Sequence, residues 1–351
     1  MGRLSRTIVA RLSLRDLAVV GVTVGVLLLG GCAETIEQYA RFGAWSRSPK
    51  EPMVFSGTPS RDAAAHGASM DVLTEHDWKV LEKIAPRPIW ERIAELREQF
   101  MAAGDPIISV DTKKKEPIGL FKNPGRTWSR RAKKVKDHDF RSEAEAIASP
   151  YGIYDLTKNC GVLVVGKSAD TPEFAANCIA MWWRRHGRFQ YPSSNRLLIL
   201  ADSGGSNGAR PRAFKKFLQE RIADKFGIEV TISHYPTGAS KWNPIEHRMF
   251  SEISKNWAGH PLESFEILLN FARNTKTQTG LKVESYFDPR EYEKGIKVHD
   301  KEFKRLSITK SNTLGNWNYT IAPRAVATEK PHTDMSPFLG TEYGTKLRAA
   351  I

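Results

Sequence analysis

The chain has 351 residues, a formal net charge of +14 and a pI of about 9.6. This length fits one large domain or two ordinary ones, and an apolar share of 40% is enough for a substantial core. The excess of positive charge favours a polyanionic partner, either nucleic acid or an anionic membrane. The three cysteines form no C-x-x-C pair, which excludes a zinc-finger signature and a disulfide framework.

The first 32 residues resemble a secretory signal. Residues 1–16 carry four arginines and one acid, and Leu17–Gly31 is apolar or small apart from Thr23. A basic segment before such a run is typical of a signal, and the run is short for a membrane-spanning helix, which needs about 20 residues. Leu-Gly-Gly-Cys resembles a bacterial lipobox, which would make Cys32 a lipidated membrane anchor. A buried helix is the alternative.

The segment 33–88 is predicted to be a linker with short helices, and 322–351 a polar tail. Between them, 89–321 is predicted to form one α/β domain, because strand-like and helical patterns alternate. It begins with a helix at Ile89–Met101. The predicted strands are Pro106–Asp111, Glu116–Phe121, Tyr151–Leu156, Cys160–Val165, Arg196–Ala201 and Ile228–His234. The further predicted helices are Thr171–His186, Arg210–Phe226, Trp242–Trp257 and Pro261–Thr279. A hairpin-like region follows at Leu281–Ile296.

The stretch Leu197–Gly208 places an aspartate at the end of a strand. Five apolar residues have the length of a buried strand, Asp202 follows directly, and the Gly-, Ser- and Asn-rich residues 203–208 predict a tight loop. In open α/β sheets, ligands bind beyond the carboxyl ends of the strands. Asp202 is therefore a candidate site residue, and a cap of the turn is the alternative. No Gly-Lys-Ser/Thr follows the glycines, which excludes a P-loop.

Two further acids occupy comparable positions. Asp111 ends a predicted strand, and Glu246 lies on the first turn of a predicted helix. If the strands are neighbours, Asp111 and Asp202 meet at one sheet edge, and a helix packed across that edge brings Glu246 to both. Three converging carboxylates repel one another and require divalent cations. Such oxygen ligands predict a site for Mg²⁺ or Mn²⁺, and a pair of these ions serves displacement at phosphorus.

Residues 113–141 form a strongly basic stretch. They hold eleven Lys or Arg residues against three acids, with Trp128 and Phe140 among them. Basic residues interleaved with aromatic ones suit a nucleic-acid backbone and unstacked bases, and a solvated loop is the alternative. Six of these basic residues are candidate DNA contacts, namely Lys113, Lys114, Lys115, Arg126, Arg130 and Arg131. Two more candidates, Lys241 and Arg248, lie on either side of Glu246 in the sequence.

Four motifs, in order along the chain, closely resemble the Rhodopirellula transposase DDE family. They are SVDTKKKE at 109–116, DSGGSNG at 202–208, SKWNPIEHR at 240–248 and GNWNYTI at 315–321. The resemblance covers about 89–321 and implies an RNase H-like domain of the retroviral-integrase type, with a mixed sheet flanked by helices. It also implies that Asp111, Asp202 and Glu246, which are 91 and 44 residues apart, are the catalytic triad and the metal ligands.

The activity implied by the resemblance is metal-dependent cleavage and joining of DNA strands. Its partners would be the transposon ends and the target DNA, its cofactor two Mg²⁺ or Mn²⁺ ions, its assembly a homodimer and its location the cytoplasm, at the nucleoid. Three alternatives stay open. They are a nuclease of the same fold that does not join strands, a DNA-binding protein without catalysis, and an inactive transposase remnant behind a lipoprotein signal.

The region upstream of the catalytic motifs departs from the family. Members carry a long helix-turn-helix region that reads the transposon ends, whereas here 110 residues precede Asp111 and begin with the lipobox-like segment. We therefore hypothesise that the reading frame is a chimera of an inserted element and a lipoprotein gene. A membrane is a partner only if the signal is used, and DNA affinity is expected to be mostly non-specific and steeply salt-dependent.

Overall fold

The computed structural model of the chain describes residues 79, 81–83, 85–128, 133–138, 140–236, 238–239 and 242–324. The signal-like segment 1–32, most of the predicted linker 33–88 and nearly all of the predicted tail 322–351 lie outside these ranges. Within them, no helix is long and apolar enough to cross a membrane.

The described residues form nine strands of one mixed sheet. The strands are β1 (Ile107–Thr112), β2 (Glu116–Ile118), β3 (Ala146–Asp155), β4 (Cys160–Gly166), β5 (Arg196–Asp202), β6 (Glu229–Tyr235), β7 (Lys282–Asp288), β8 (Ile308–Lys310) and β9 (Asn318–Ile321). Their order across the sheet is β7-β4-β3-β1-β5-β6-β9-β8, and β2 pairs with the start of β3.

Five central strands define the fold class. β3 is antiparallel to β1 and β4 is antiparallel to β3, while β5 is parallel to β1 and β6 is parallel to β5. The order β4-β3-β1-β5-β6 with these directions is the RNase H-like arrangement, so the predicted fold class is confirmed. β1 and β5 lie at the centre of the sheet, which explains why their sequences are almost continuously apolar.

Helices cover both faces of the sheet. They are α1 (Arg87–Ala103), α2 (Pro172–Trp182, extended by the π-helical turn Trp183–Gly187), α3 (Arg212–Leu218, extended by the π-helical turn Gln219–Ala223), α4 (the π-helical turn Glu246–Phe250 followed by Ser251–Asn256), α5 (Phe265–Arg273) and α6 (Asp300–Phe303). α2 and α3 share one hydrophobic core with the sheet. α1, α4 and α5 contribute to the two cores on the opposite face.

The alternation of side chains along a strand decides which face each acid occupies. Ile108 and Val110 of β1 belong to the core beneath α2 and α3, so Asp111 points to the opposite face, which α4 covers. Ala201 of β5 belongs to the same core as Val110, so Asp202 points to the same face as Asp111.

Two glycines let α4 lie close against the sheet. A Cβ added at Gly152 of β3 would lie 2.8 Å from the side chain of Ile245 and closer still to the ring of Phe250. Gly161 of β4 makes similar room further along the helix. Because Gly152 pairs in register with Asp111, the start of α4 lies directly beside the end of β1.

Several predicted elements have different bounds. The strand predicted at Glu116–Phe121 ends at Ile118, and the hairpin predicted at Leu281–Ile296 is the single strand β7. The helix predicted at Pro261–Thr279 is shorter, because the Ser264 hydroxyl accepts a hydrogen bond from the backbone N–H of Ile267 and fixes its start. The π-helical turns within α2, α3 and α4 have no signal in the apolar spacing.

Gly152→Ala is expected to lower the free energy of unfolding by about 1–3 kcal/mol, because the added methyl group forces α4 away from β3. Chemical denaturation measures the loss. Gly204→Ala is the matched control, since nothing lies within 4 Å of a Cβ at that position. Equal losses in the two variants would contradict the close packing of α4 on β3.

Candidate active site

Asp111 and Asp202 end two neighbouring parallel strands. Val110 of β1 is paired with Ala201 of β5, so the next residue on each strand is an aspartate at the same level. Adjacent strands lie about 4.8 Å apart. Both aspartates are partly buried. The strand register therefore brings the two acids to one sheet edge, as the sequence predicts.

Glu246 reaches this pair from α4. The backbone N–H of Glu246 donates to the carbonyl of Asn243 at 3.1 Å, which closes the first turn. Glu246 and Asp202 both lie close enough to Asp111 to raise the pKa of its carboxyl group. The three predicted acids thus lie together on the face of the sheet that α4 covers.

Burial and mutual repulsion make the charged form of this cluster unfavourable. Burial raises the pKa of Asp111 to about 8, and the neighbouring Asp202 carboxylate is the next cause. Burial also raises the pKa of Asp202 to about 6 and raises the pKa of Glu246. The ionised form of Asp111 is therefore the least favourable of the three while no cation is bound.

The chemistry of these ligands fits a hard divalent cation. Carboxylate oxygens are the ligands that Mg²⁺ and Mn²⁺ prefer, and a cation would relieve the repulsion that raises the pKa values. In the described ranges, no group of three or more His, Cys, Asp or Glu side chains is placed to hold a metal ion.

A fourth acid at the same sheet edge has protein partners. Asp288 ends β7, level with Gly166 at the end of β4. Its carboxylate accepts hydrogen bonds from the guanidinium of Arg290 at 2.8 and 2.9 Å and from the hydroxyl of Tyr292 at 2.7 Å. Asp288 therefore fastens the segment after β7 to the sheet, and its lone pairs are occupied.

A buried asparagine lies beside the acids and was not predicted from the sequence. Asn243 is fully buried, and its Nδ2 donates to Asp202 Oδ1 at 3.1 Å. Its Oδ1 accepts a short hydrogen bond from the hydroxyl of Ser109, two residues before Asp111. The sequence feature that could have identified Asn243 is its position in the motif SKWNPIEHR, three residues before Glu246.

A buried histidine supports Asp202 from the other side. His234 is the penultimate residue of β6 and pairs with Ala201. Its Nδ1 donates to the backbone carbonyl of Asp202 at 3.1 Å, while its Nε2 lies 3.1 Å from the hydroxyl of Tyr319. Burial lowers the pKa of His234 to about 3, so the ring is neutral. His234 contacts the acids through the backbone of Asp202.

The glycine-rich loop after β5 and two tryptophans have structural roles. A Cβ at Gly208 would lie 2.6 Å from the backbone carbonyl of Ser203, so the turn itself requires this glycine. Trp257 is buried in the core beneath α4. Trp242 is partly buried and packs edge-on against Trp90, with ring centroids 5.9 Å apart.

The lysines after β1 differ in their surroundings. Lys113 forms an ion pair with Glu116 at 2.9 Å, and its Nζ lies 4.5 Å from the centre of the Trp257 ring. Lys114 is exposed. Lys115 lines a cleft of about 400 Å³ together with Lys167, Lys294 and six other residues.

The other candidate DNA contacts are only partly described. Arg126 is exposed, and Arg248 is partly buried on α4. Arg130, Arg131 and Lys241 lie outside the described residues.

Residues 119–128 and 133–138, called the arm below, follow β2. Two backbone hydrogen bonds close its base, from Lys122 to the carbonyl of Lys136 at 2.8 Å and from Lys136 to the carbonyl of Leu120 at 2.9 Å. The side chain of Asn123 donates to two carbonyl groups just after α4, each at 3.2 Å. Further out on the arm, the side chain of Trp128 is fully exposed.

Fold and site together define a class of protein. An RNase H-like sheet with three acids gathered at one edge is the arrangement of the DDE transposases. The chain belongs to the Rhodopirellula transposase DDE family, since it matches the family described as "Rhodopirellula transposase DDE domain" over residues 84–323, more than two thirds of its length. No curated protein matches the sequence.

The chain is also similar to solved structures of Mos1 transposase, each at 13% identity. A paired-end complex with the left transposon end matches with a TM-score of 0.37, over 76% of this chain and 71% of that one. A pre-cleavage transpososome matches with a TM-score of 0.34 over the same shares. A mariner paired-end complex with Mn matches with a TM-score of 0.33, over 72% of this chain and 83% of that one.

Without divalent cations, the free energy of unfolding is expected to fall as the pH rises from about 4 to about 8. The unfolded chain releases the Asp111 proton near pH 3.8, whereas the folded chain keeps it to a pH of about 8. Asp111→Asn should therefore become more stable than the wild type with rising pH, by a few kcal/mol at pH 8. Chemical denaturation in the presence of a chelator measures this difference.

Asp288→Asn is the control for this pH dependence. It removes the carboxylate that Arg290 and Tyr292 bind, so it should destabilise the protein. A stability difference between Asp111→Asn and the wild type that stays constant with pH would contradict a raised pKa at Asp111.

Proposed function

We propose that this chain is a DDE-type DNA transposase that cleaves DNA strands and joins their 3′ ends to target DNA. Asp111, Asp202 and Glu246 are its catalytic triad in this proposal. The observation that supports it best is the level pairing of Val110 with Ala201, which sets two aspartates side by side on the face that α4 covers. Membership of the transposase family supports the same function.

The proposed chemistry consists of two displacements at phosphorus. In cleavage, the oxygen of water bonds to phosphorus, the bond from phosphorus to the 3′ oxygen breaks, and the 3′ oxygen leaves as a hydroxyl group. In joining, that 3′-hydroxyl attacks a phosphodiester of the target and displaces the target's own 3′ oxygen. Each joining step breaks one phosphodiester bond and forms another, so no external energy source is needed.

The three carboxylates would hold two Mg²⁺ or Mn²⁺ ions. Such ions supply activation of the attacking oxygen and stabilisation of the charge on the leaving one. Asp111 and Asp202 would hold the ions from the sheet, because the strand register fixes the two residues side by side. Glu246 would complete the site from α4.

DNA is the partner in this proposal, and the contacts are basic residues near the acids. The candidates are Lys113, Lys114, Lys115, Arg126, Arg130, Arg131, Lys241 and Arg248. The cleft that Lys115 lines opens at the same sheet edge and adds Lys167 and Lys294. Phosphate contacts of this kind supply affinity without sequence specificity.

The assembly and the location follow from the proposed reaction. Because transposition requires two DNA ends held together, the acting form is a homodimer, and it works in the cytoplasm at the nucleoid. The membrane-anchored alternative depends on Cys32, which lies outside the described residues.

A strand-transfer assay tests the proposed triad. The full chain is mixed with a labelled duplex that has a free 3′-hydroxyl, with plasmid DNA and with Mn²⁺. We expect joined product from the wild type and a loss of at least about 100-fold in Asp202→Asn, because a group that stabilises the transition-state charge is removed. Asp300→Asn is the control, since this exposed carboxylate is paired with Arg212 instead.

The products of this assay separate the alternatives. Nicked but unjoined plasmid would show an RNase H-like nuclease. DNA binding without any divalent-dependent product would show a non-catalytic DNA-binding protein or an inactive remnant.

Trp128→Ala is expected to weaken binding to DNA with unpaired bases beside the 3′ end by about 1–3 kcal/mol, the energy of one stacked base. Arg126→Ala should instead lower the slope of log affinity against log salt by about 1, because one phosphate contact is lost. Fluorescence anisotropy at several salt concentrations measures both effects.

Phe189→Ala is the control for Trp128, because Phe189 is also exposed but lies just before the start of β5, at the opposite sheet edge. Equal weakening in Trp128→Ala and Phe189→Ala would exclude a stacking role for the arm.

A further inference from the structure

The polar contacts of Asn243 join the three elements that carry the acids. Its Nδ2 donates to Asp202 Oδ1 at 3.1 Å, at the end of β5. Its Oδ1 accepts from the hydroxyl of Ser109, two residues before Asp111 on β1. Asn243 itself lies at the start of α4, and its carbonyl accepts from the backbone N–H of Glu246 at 3.1 Å.

Donor and acceptor chemistry fixes the orientation of the Asn243 amide. An ionised carboxylate only accepts hydrogen bonds, so the NH₂ group must face Asp202 and the amide oxygen must face Ser109. The Ser109 hydroxyl oxygen, in turn, accepts from the backbone N–H of Ile245 at 3.3 Å. A rotated amide would place its oxygen against the Asp202 carboxylate, two acceptors facing each other, so the observed orientation is the favourable one.

We propose that Asn243 is a positioning residue that holds the Asp202 carboxylate in place for metal binding and, through Ser109, fixes β1 against the start of α4. This inference rests on the proposed function, in which these acids bind divalent cations. Asn243 and Ser109 are both fully buried, so no water competes for their hydrogen bonds. Without the amide, the Asp202 side chain is free to rotate, and the three acids no longer converge on one site.

Asn318 provides a matched control elsewhere in the sheet. It is as buried as Asn243, and its Oδ1 accepts from the hydroxyl of Ser233 at 2.6 Å. Its Nδ2 donates to the backbone carbonyl of Thr313 at 3.2 Å, so it contacts no carboxylate. Asn243→Ala and Asn318→Ala therefore remove the same buried amide, but only the first removes a contact to an acid.

The test measures Mn²⁺ binding of the full chain by electron paramagnetic resonance of free Mn²⁺, with chemical denaturation in parallel. We expect both alanine variants to lose stability to a similar degree. Only Asn243→Ala should weaken Mn²⁺ binding, by about 10–100-fold, as loss of a residue that orients a metal ligand does. Ser109→Ala should add nothing to this loss in the double variant, because both residues act through one bridge.

A crystal structure of metal-free Asn243→Ala gives a readout that does not depend on activity. The Asp202 carboxylate should adopt a different or a mixed rotamer, whereas it should stay in place in Asn318→Ala. An unchanged Asp202 in Asn243→Ala, or equal loss of Mn²⁺ affinity in the two variants, would overturn the inference. A wild type that binds no Mn²⁺ and joins no DNA would overturn the proposed function, and the Asp202 rotamer would still decide the role of Asn243.

Discussion

Repulsion among three carboxyl groups at one sheet edge is the constraint around which this protein is built. Two strands and one helix bring Asp111, Asp202 and Glu246 together in a partly buried place, where their ionised forms are unfavourable. The fold tolerates this arrangement because the surrounding core is extensive and because protonation relieves the repulsion. Because the ionised cluster is unfavourable without a cation, it favours the binding of positive charge. The proposed reaction uses this property.

The close approach of α4 depends on small side chains as much as on hydrogen bonds. Gly152 lies level with Asp111, and the space left by its missing side chain is filled by Ile245 and Phe250 of α4. Apolar packing thus sets the distance between the helix and the sheet, and the polar contacts of Asn243 set the rotation of the Asp202 carboxylate. The two effects are separable, because one acts on the backbone and the other on a side chain.

The basic residues are arranged around the acids in a way that suits one long polyanion. The arm follows β2 and is fastened to the end of α4 through Asn123. The lysine-lined cleft opens at the sheet edge that carries the acids. In the proposed function, such cations would hold a DNA backbone by its phosphates while one phosphodiester reaches the acids.

The sequence by itself determined the fold class and the three candidate acids. Apolar runs that end in an aspartate can be recognised within a short stretch of sequence, and the motifs around them identified the family. It did not separate Asp202 from Asp288, which also ends a strand at this edge, because only the folded chain brings Arg290 and Tyr292 to Asp288. The roles of Gly152 and Asn243 were decided by tertiary structure alone. A glycine is required where a distant helix packs on it, and an asparagine can bridge two strands only when the sheet has formed, so neither role leaves a periodic signal in the sequence.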